Sequence, residues 1–196
     1  MVSLWHGMPA SNIRFQCQQA AVPARTVGPD TAYGKEGGIA MREGKIPTRY
    51  RGYQVSTIKF WELPQIAQLE RQVFAEPMPL AEVIHKYRQP NTHYLVVKDR
   101  RRIIAYFGFE IIKPYAHVLA NVTHPSYRRQ GLATFVLTAA EPWARDEEAR
   151  AFLGEVRVSN QPQLTVLQNI GWIRVALVPQ GFGNGEDAHI VMKIFD

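Results

Sequence analysis

The sequence predicts a mixed α/β fold, in which a mostly antiparallel central sheet has helices on both faces and follows an extended N-terminal arm. Three observations predict it. Three strand-like segments follow one another through short turns, which is typical of an antiparallel meander. A strand, a helix and another strand come next, and this unit implies parallel pairing with a crossover helix. The first 52 residues share neither pattern.

Residues 1–52 show no apolar period of a helix or a strand over a useful length, and residues 25–53 are rich in glycine, charge and turn formers. We expect an extended or flexible arm that cannot bury a core of its own, followed by a domain at residues 53–196. A leader without structural role is the alternative. The apolar residues that could anchor the arm on the domain or on a partner are Trp5, Ile13, Phe15, Tyr33, Ile39 and Met41.

The first half of the domain alternates between strand and helix patterns. Apolar residues at helical spacing follow Pro64, which lies early in a helix where proline is tolerated, and Pro90 ends the second helix. A tight polar turn joins the first two strands of the meander. The predicted segments are a strand at 53–60, helices at 63–74 and 79–89, and strands at 92–99, 102–112 and 115–123.

The second half begins with a helix that follows Gly131 and has one apolar face. Three glycines at 181–185 lead into a strand rather than a helix, so we interpret them as a flexible hairpin loop. The remaining predicted segments are a strand at 151–158, a short helix at 162–170, and strands at 172–178 and 188–195.

Composition narrows the functional classes. The formal net charge of +6 suits an anionic partner such as nucleic acid, an anionic surface or a phosphorylated small molecule. Cys17 is the single cysteine, which excludes an internal disulfide framework and argues against a zinc-thiolate site. The six histidines are scattered without a metal-binding motif, so no metal is expected. With no long apolar stretch and no signal-peptide pattern, we expect a soluble, cytoplasmic protein.

The segment RRQGLA at 128–133 carries the clearest chemical signal. The first turn of a helix has unpaired N–H groups and a partial positive charge. Gly131 lets the backbone approach a ligand, and Arg128 and Arg129 add charge. These features predict a phosphate or pyrophosphate site, although a solvated basic turn is the alternative. The segment has neither the lysine of a Walker loop nor the three glycines of a dinucleotide fingerprint.

Arginine, glycine and alanine in this spacing, at the start of a helix that follows a meander, resemble the acetyl-CoA loop of the GCN5-related N-acetyltransferase (GNAT) superfamily. GEVRVSN at 154–160 and LQNIGW at 167–172 are similar to motifs of its ribosomal-protein N-terminal acetyltransferase branch. The resemblance spans residues 53–196 and implies the GNAT fold, with acetyl-CoA as cofactor and an amine as acceptor.

The resemblance also assigns cofactor contacts. The end of the third meander strand would lend backbone groups to the pantetheine arm, the loop would wrap the pyrophosphate, and a residue beyond the next strand would add a contact. The implied residues are Asn121, Val122 and Thr123 for the arm, Arg128, Arg129, Gln130, Gly131, Leu132, Ala133 and Thr134 for the pyrophosphate, and Asn160 beyond the strand.

The implied reaction is direct attack of an amine on the acetyl thioester, which needs a base, an oxyanion donor and a proton donor. Glu155 matches the family's general base; the alternative is a surface carboxylate paired with Arg157 or another cation. The family usually has a tyrosine four residues before the glycine of its LGF motif, and here that position is Leu167. His124, Tyr127 and His189 are unranked candidates for the missing acid.

An α-amine titrates near 8 and a lysine near 10.4, so at neutral pH the α-amine is richer in its reactive form. We therefore expect a peptide or protein N-terminus, or a small amine, as acceptor. The alternative function is a weakened or inactive assembly subunit, which binds a partner or itself through residues 1–52. Nucleic-acid binding is less favoured, because the basic runs at 85–88, 99–102 and 127–129 are typical of solvated turns. No membrane partner is expected.

Overall fold

The computed structural model describes residues 2–3 and 46–195 of the 196-residue chain. Among these residues nine strands form one sheet, with the order β2-β3-β4-β5-β6-β7-β9-β8, and β1 pairs with β6 off this path. The strands are β1 (Val2–Ser3), β2 (Arg49–Tyr50), β3 (Tyr53–Thr57), β4 (Thr92–Asp99), β5 (Arg102–Ile112), β6 (Tyr115–Thr123), β7 (Ala151–Arg157), β8 (Ile173–Val178) and β9 (Ala188–Ile194). The α-helices are α1 (Leu63–Val73), α2 (Leu80–Tyr87), α3 (Leu132–Asp146) and α4 (Gln161–Asn169).

The sheet opens into a fork between β6 and β7. Strands β3 to β6 pair antiparallel, as the predicted meander requires. β7 then pairs parallel with β6 over three residue pairs, of which the last joins His117 and Leu153. Beyond His117, β6 continues to Thr123 without β7, and β1 pairs with β6 at Ala120 and Asn121 in this opening.

A β-bulge in β6 coincides with the fork. Phe109 of β5 pairs with Val118, whereas Gly108 pairs with Ala120, so Leu119 is an extra residue on β6. A bulge bends its strand and increases the local twist, and here it turns the end of β6 away from β7. Gly108 is required at this point, because a Cβ atom there would lie 2.9 Å from the Tyr94 ring.

Helices cover both faces of the sheet, which gives two main cores. α1 and α2 lie on one face, where the buried residues of α1 recur at helical spacing, with Leu63, Ile66 and Leu69 among them. α3 and α4 lie on the other face over a core rich in aromatic rings. Ile66 is completely buried, so truncation to alanine should cost about 2–5 kcal/mol of unfolding free energy.

The predicted elements are present, with differences at the edges. The strand predicted at 53–60 ends at Thr57, because Phe60–Glu62 forms a 3₁₀ turn that leads into α1. Residues 49–50, which fall inside the predicted arm, pair with β3. The arm boundary at residue 52 stays a prediction, and the six apolar anchors proposed for the arm lie outside the described residues. None of the helices in the described part of the chain has the length and apolar character needed to cross a membrane.

Candidate active site

The loop between β6 and α3 has the backbone geometry of an anion site. Arg129 and Gly131 both adopt left-handed backbone conformations, with φ of 64° and 77°, on either side of Gln130. α3 begins at Leu132, so its first N–H groups have no partner within the helix. Backbone N–H groups in such alternating conformations form a concave site for anions, and the helix dipole adds to the attraction.

A hairpin supports this loop; its first strand falls in the predicted arm, and its second strand begins the predicted strand at 53–60. Tyr53 Oη donates a hydrogen bond to Gln130 Oε1 at 3.0 Å, and the Tyr50 ring stacks on Phe135 of α3 with centroids 4.1 Å apart. A Cβ atom on Gly131 would lie 2.8 Å from Tyr50 Oη, so glycine is required by space as well as by φ. The second strand was predicted from the sequence, whereas the pairing with Arg49–Tyr50 was not; its signal was the two-residue turn at Arg51 and Gly52.

The side chains of β6 that follow the fork include unpartnered acceptors. Asn121 is 6% exposed, and its Nδ2 donates to the carbonyl of Ala133 at 3.5 Å. The Oδ1 of Asn121 and the Oγ1 of Thr123 are buried and have no hydrogen-bond partner among the described residues. Val122 points into the core under α1 and α2, so its backbone alone can reach the fork. Buried acceptors without partners destabilise a protein, and a ligand with amide N–H groups would satisfy them.

Glu155 and His117 lie together where β6 and β7 separate. Glu155 Oε2 of β7 is 3.3 Å from His117 Nε2 of β6, and the two side chains are 13% and 3% exposed. Arg157, which the sequence analysis considered as a partner of Glu155, instead contacts Glu186 at 3.1 Å and Glu76 at 3.5 Å. His117 was missed because no sequence pattern reveals the register between two strands that are distant in the chain.

A narrow cleft lies between the separated strands and the helices α3 and α4. Its walls are mostly apolar, and Leu167 of α4, which is 4% exposed, is one of them. The polar residues in the lining are Asn121, Glu155 and Gln163. Glu155 is thus the one titratable residue in the described lining. Leu167, at the position of the family's usual tyrosine, cannot donate a proton. In the described residues, no three His, Cys, Asp or Glu side chains are grouped as metal ligands.

The three candidate acids lie elsewhere. Tyr127 donates to Asp99 Oδ2 at 2.8 Å, and this hydrogen bond raises the pKa of its hydroxyl. His124 Nε2 lies 2.6 Å from an Arg102 guanidinium nitrogen; partial burial and then the charges of Arg102 and Arg128 lower the pKa of His124. His189 pairs with Val156, so it faces the side of the sheet opposite to Glu155.

Asn160 lies at the start of α4. Its Oδ1 accepts a hydrogen bond from the backbone N–H of Gln163 at 3.3 Å, which caps the helix. This capping role was not foreseen from the sequence. The cofactor contact of Asn160 remains a prediction.

Comparison with known proteins agrees with this arrangement. Residues 60–172, more than half of the chain, match the model of the acetyltransferase (GNAT) family. A relative from Bacillus subtilis, named putative [ribosomal protein bS18]-alanine N-acetyltransferase, is 26% identical over 144 residues, or 70% of this chain and 92% of the relative. An N-alpha-acetyltransferase of Saccharolobus solfataricus is 23% identical over 156 residues, or 73% of this chain and 93% of the relative.

Among solved structures, the ribosomal-protein-S18-alanine N-acetyltransferase of Escherichia coli superposes with a TM-score of 0.66 at 18% sequence identity. The match covers 72% of this chain and 93% of that protein. At this identity the likeness shows the fold, and it confirms the GNAT architecture that the sequence predicted.

Proposed function

The chain belongs to the GNAT family of acetyltransferases and transfers acetyl groups to amines, and we propose that its donor is acetyl-CoA and its acceptor the α-amine of a peptide or protein. The observation that carries this proposal is the contact between Glu155 and His117 at the fork. The strand that carries His117 leads into the loop with the geometry of an anion site. The names of two relatives, an alanine N-acetyltransferase and an N-alpha-acetyltransferase, support the α-amine as acceptor.

The described residues fit the cofactor. The left-handed backbone at Arg129 and Gly131 would hold the pyrophosphate, and the unpartnered acceptors of Asn121 and Thr123 would receive amide N–H groups of the pantetheine arm. The pairing of β1 with β6 supports the view that this edge accepts an extended chain; β1 would have to leave for the pantetheine arm to take its place. When bound, acetyl-CoA supplies a thioester that is open to attack by an amine.

Glu155 is the proposed general base. Glu155 is among the residues that line the apolar cleft, and its carboxylate lies beside His117 where β6 and β7 separate, so it would meet an amine that approaches there. His117 Nε2, at 3.3 Å, fixes the orientation of that carboxylate. At neutral pH, about one α-amine in ten is unprotonated, against roughly one lysine in a few thousand. An N-terminus therefore depends less on this base for the removal of a proton before attack.

The reaction proceeds here without the family's usual tyrosine. Leu167 cannot donate a proton, and the described cleft contains no acid besides Glu155. A thiol has a pKa of about 8.5, so a thiolate can leave at neutral pH with little assistance. The substitution therefore slows the transfer rather than preventing it. The alternative role as an inactive scaffold is not favoured, because such a protein needs neither the anion loop nor a buried carboxylate at the fork.

The test of the donor is thermal unfolding with and without acetyl-CoA. At a hundredfold its dissociation constant, the cofactor should raise the unfolding free energy by about 2.7 kcal/mol. Gly131→Trp should abolish this increase, whereas Gly185→Trp, at another glycine with positive φ but with open space around it, should retain it. The absence of stabilisation at millimolar acetyl-CoA would contradict the proposed donor.

The test of the acceptor compares two peptides of the same sequence. One has a free N-terminus, and the other has a blocked N-terminus and a free lysine. Initial rates of acetylation should be far higher on the first peptide. Equal rates, or a faster reaction on the blocked peptide, would contradict the α-amine as acceptor while leaving the donor test unaffected.

A further inference from the structure

Three turns meet at one end of the sheet. Because β3, β4, β5 and β6 alternate in direction, the β2–β3 turn, the β4–β5 turn and the loop after β6 all lie at the same end. Hydrogen bonds join them: Tyr127 donates to Asp99, and Tyr53 donates to Gln130. Arg102 also contacts His124 at 2.6 Å. The three turns therefore form one continuous surface.

This surface, which we term the arginine-rich end, carries all of the protein's excess positive charge. Its seven arginines are exposed, and Asp99 is the one carboxylate in these turns. Seven positive charges against one negative charge give +6, which equals the formal net charge of the whole chain, so the remaining charged residues balance. The seven are Arg49, Arg51, Arg100, Arg101, Arg102, Arg128 and Arg129.

These arginines are not neutralised within the described part of the chain. Elsewhere, Arg145 pairs with Glu141 and Arg157 with Glu186, but none of the seven lies within ion-pair distance of a described carboxylate. Unpaired like charges repel one another, so a cluster of this size destabilises the folded protein until an anion neutralises it.

The backbone provides an independent observation. Among the described residues, five that are not glycine have positive φ, and three of them are arginines at this end: Arg51, Arg100 and Arg129. Glycine would adopt these turn conformations without strain, as Gly52 does beside Arg51. Strained positions of this kind concentrate where a side chain serves a function. At all three of these positions the side chain carries a guanidinium group.

We propose that the arginine-rich end binds the phosphodiester backbone of a nucleic acid. All seven cations are arginine rather than lysine, and the planar guanidinium matches phosphate bidentately and stacks on bases. Tyr50 and Tyr53, both partly exposed, lie beside the arginines. The acetyl donor does not account for the whole surface, because Arg49, Arg51, Arg100 and Arg101 belong to turns outside its proposed loop.

A membrane surface is less consistent with the same features. Binding to a bilayer usually combines basic residues with exposed apolar side chains that insert. The strongly exposed apolar residues Phe60 and Trp61 follow the far end of β3, away from the arginines. The sequence alone favoured solvated turns because the basic runs at 99–102 and 127–129 are far apart in the chain; the fold joins them, whereas Lys86 of the third run pairs with Glu110.

The experiment uses the full chain and fluorescently labelled single-stranded RNA and DNA, with binding followed by anisotropy across a salt series. The test variant carries Arg49→Gln, Arg51→Gln, Arg100→Gln and Arg101→Gln. The matched control removes four exposed arginines on other surfaces: Arg71→Gln, Arg88→Gln, Arg150→Gln and Arg174→Gln. Acetylation of a short peptide and stabilisation by acetyl-CoA are measured for both variants, which keeps this test separate from that of the proposed function.

We expect the test variant to bind nucleic acid at least about tenfold more weakly at about 0.15 M salt, with a slope of log K against log salt smaller by about 3. The control should bind as the unmodified protein does, and peptide acetylation should be unchanged in both. Three results would overturn the proposal: equal weakening in test and control, loss of acetyl-CoA binding instead of nucleic-acid binding, or binding to phosphatidylserine vesicles but to neither nucleic acid. A preference between RNA and DNA identifies which of the two supplies the phosphates.

Discussion

The two sides of the fork are built from different parts of the polypeptide. On the loop side, the proposed anion site depends on main-chain conformation at Arg129 and Gly131 and on the start of α3. On the other side, the proposed chemistry depends on the side chains of Glu155 of β7 and His117 of β6, and Leu167 occupies the position of the family's tyrosine. A main-chain site tolerates most substitutions outside its glycine, whereas a side-chain site can lose one group and keep the others. Binding and catalysis should therefore be separable by mutation.

The largest expected effect separates the two sides directly. Glu155→Gln preserves the shape of the side chain but removes the proposed base, so the turnover rate should fall by about 10²–10⁴-fold. Stabilisation by acetyl-CoA should remain that of the unmodified protein, because the loop does not use this side chain. Steady-state kinetics and thermal unfolding on the same preparation measure both. A Glu155→Gln enzyme that is fully active, or one that no longer binds acetyl-CoA, would contradict the separation.

Acid should destabilise the packing under α3, near the end of this helix that lies away from the loop. His93 of β4 lies against Trp143 of α3, with ring centroids 4.6 Å apart, and burial lowers the pKa of His93 to about 4 from 6.5. Between these values the unfolded chain binds a proton that the folded protein does not, so stability falls as the pH drops from 6.5 towards 4. The loss should reach at most about 3 kcal/mol, reduced by the Glu147 carboxylate 3.8 Å away.

Urea unfolding at neutral pH and near the lower limit of this window measures the effect. His93→Phe keeps the aromatic contacts and removes the titrating group, so its unfolding free energy should depend less on pH. If the variant and the unmodified protein lose stability equally, other groups cause the loss and His93 does not.

A smaller effect is expected from the neighbour of the base. His117→Gln keeps a hydrogen-bonding side chain beside Glu155 but removes the imidazole, so the turnover rate should fall by about tenfold with little change in KM. The profile of kcat against pH should also change shape on its acidic side. A rate loss that follows reduced stability, with an unchanged pH profile, would mean that His117 only fills space.

The smallest effect is expected when a tyrosine is restored at position 167. Leu167→Tyr places a hydroxyl at the wall of the cleft and should raise the turnover rate by a few fold, less than a fully positioned acid contributes. Leu167→Phe is the matched control, since it adds the ring without the hydroxyl. Equal rates for the two variants would show that the position does not limit catalysis.

Local pattern was sufficient for most of the fold. The meander strands coincide with their predicted ranges, and α1 ends one residue before its predicted end. These segments are long, and the spacing of their apolar residues indicates which side is buried. Contacts between segments that are distant in the chain could not be predicted from the sequence. The approach of His117 to Glu155 depends on a parallel register. The support of Gln130 by Tyr53 depends on a contact between the first predicted strand and a loop 77 residues away. The clustering of the arginines likewise could not be predicted without knowing the directions of four strands.

The fork has a consequence for solubility. An open strand edge on the outside of a protein offers unpaired N–H and C=O groups to any other chain and promotes aggregation. In this fold the part of β6 that has separated from β7 lies in the middle of the sheet, and β1 pairs with it at Ala120 and Asn121. The separated strand is therefore away from the rim of the sheet, where edge-to-edge association takes place.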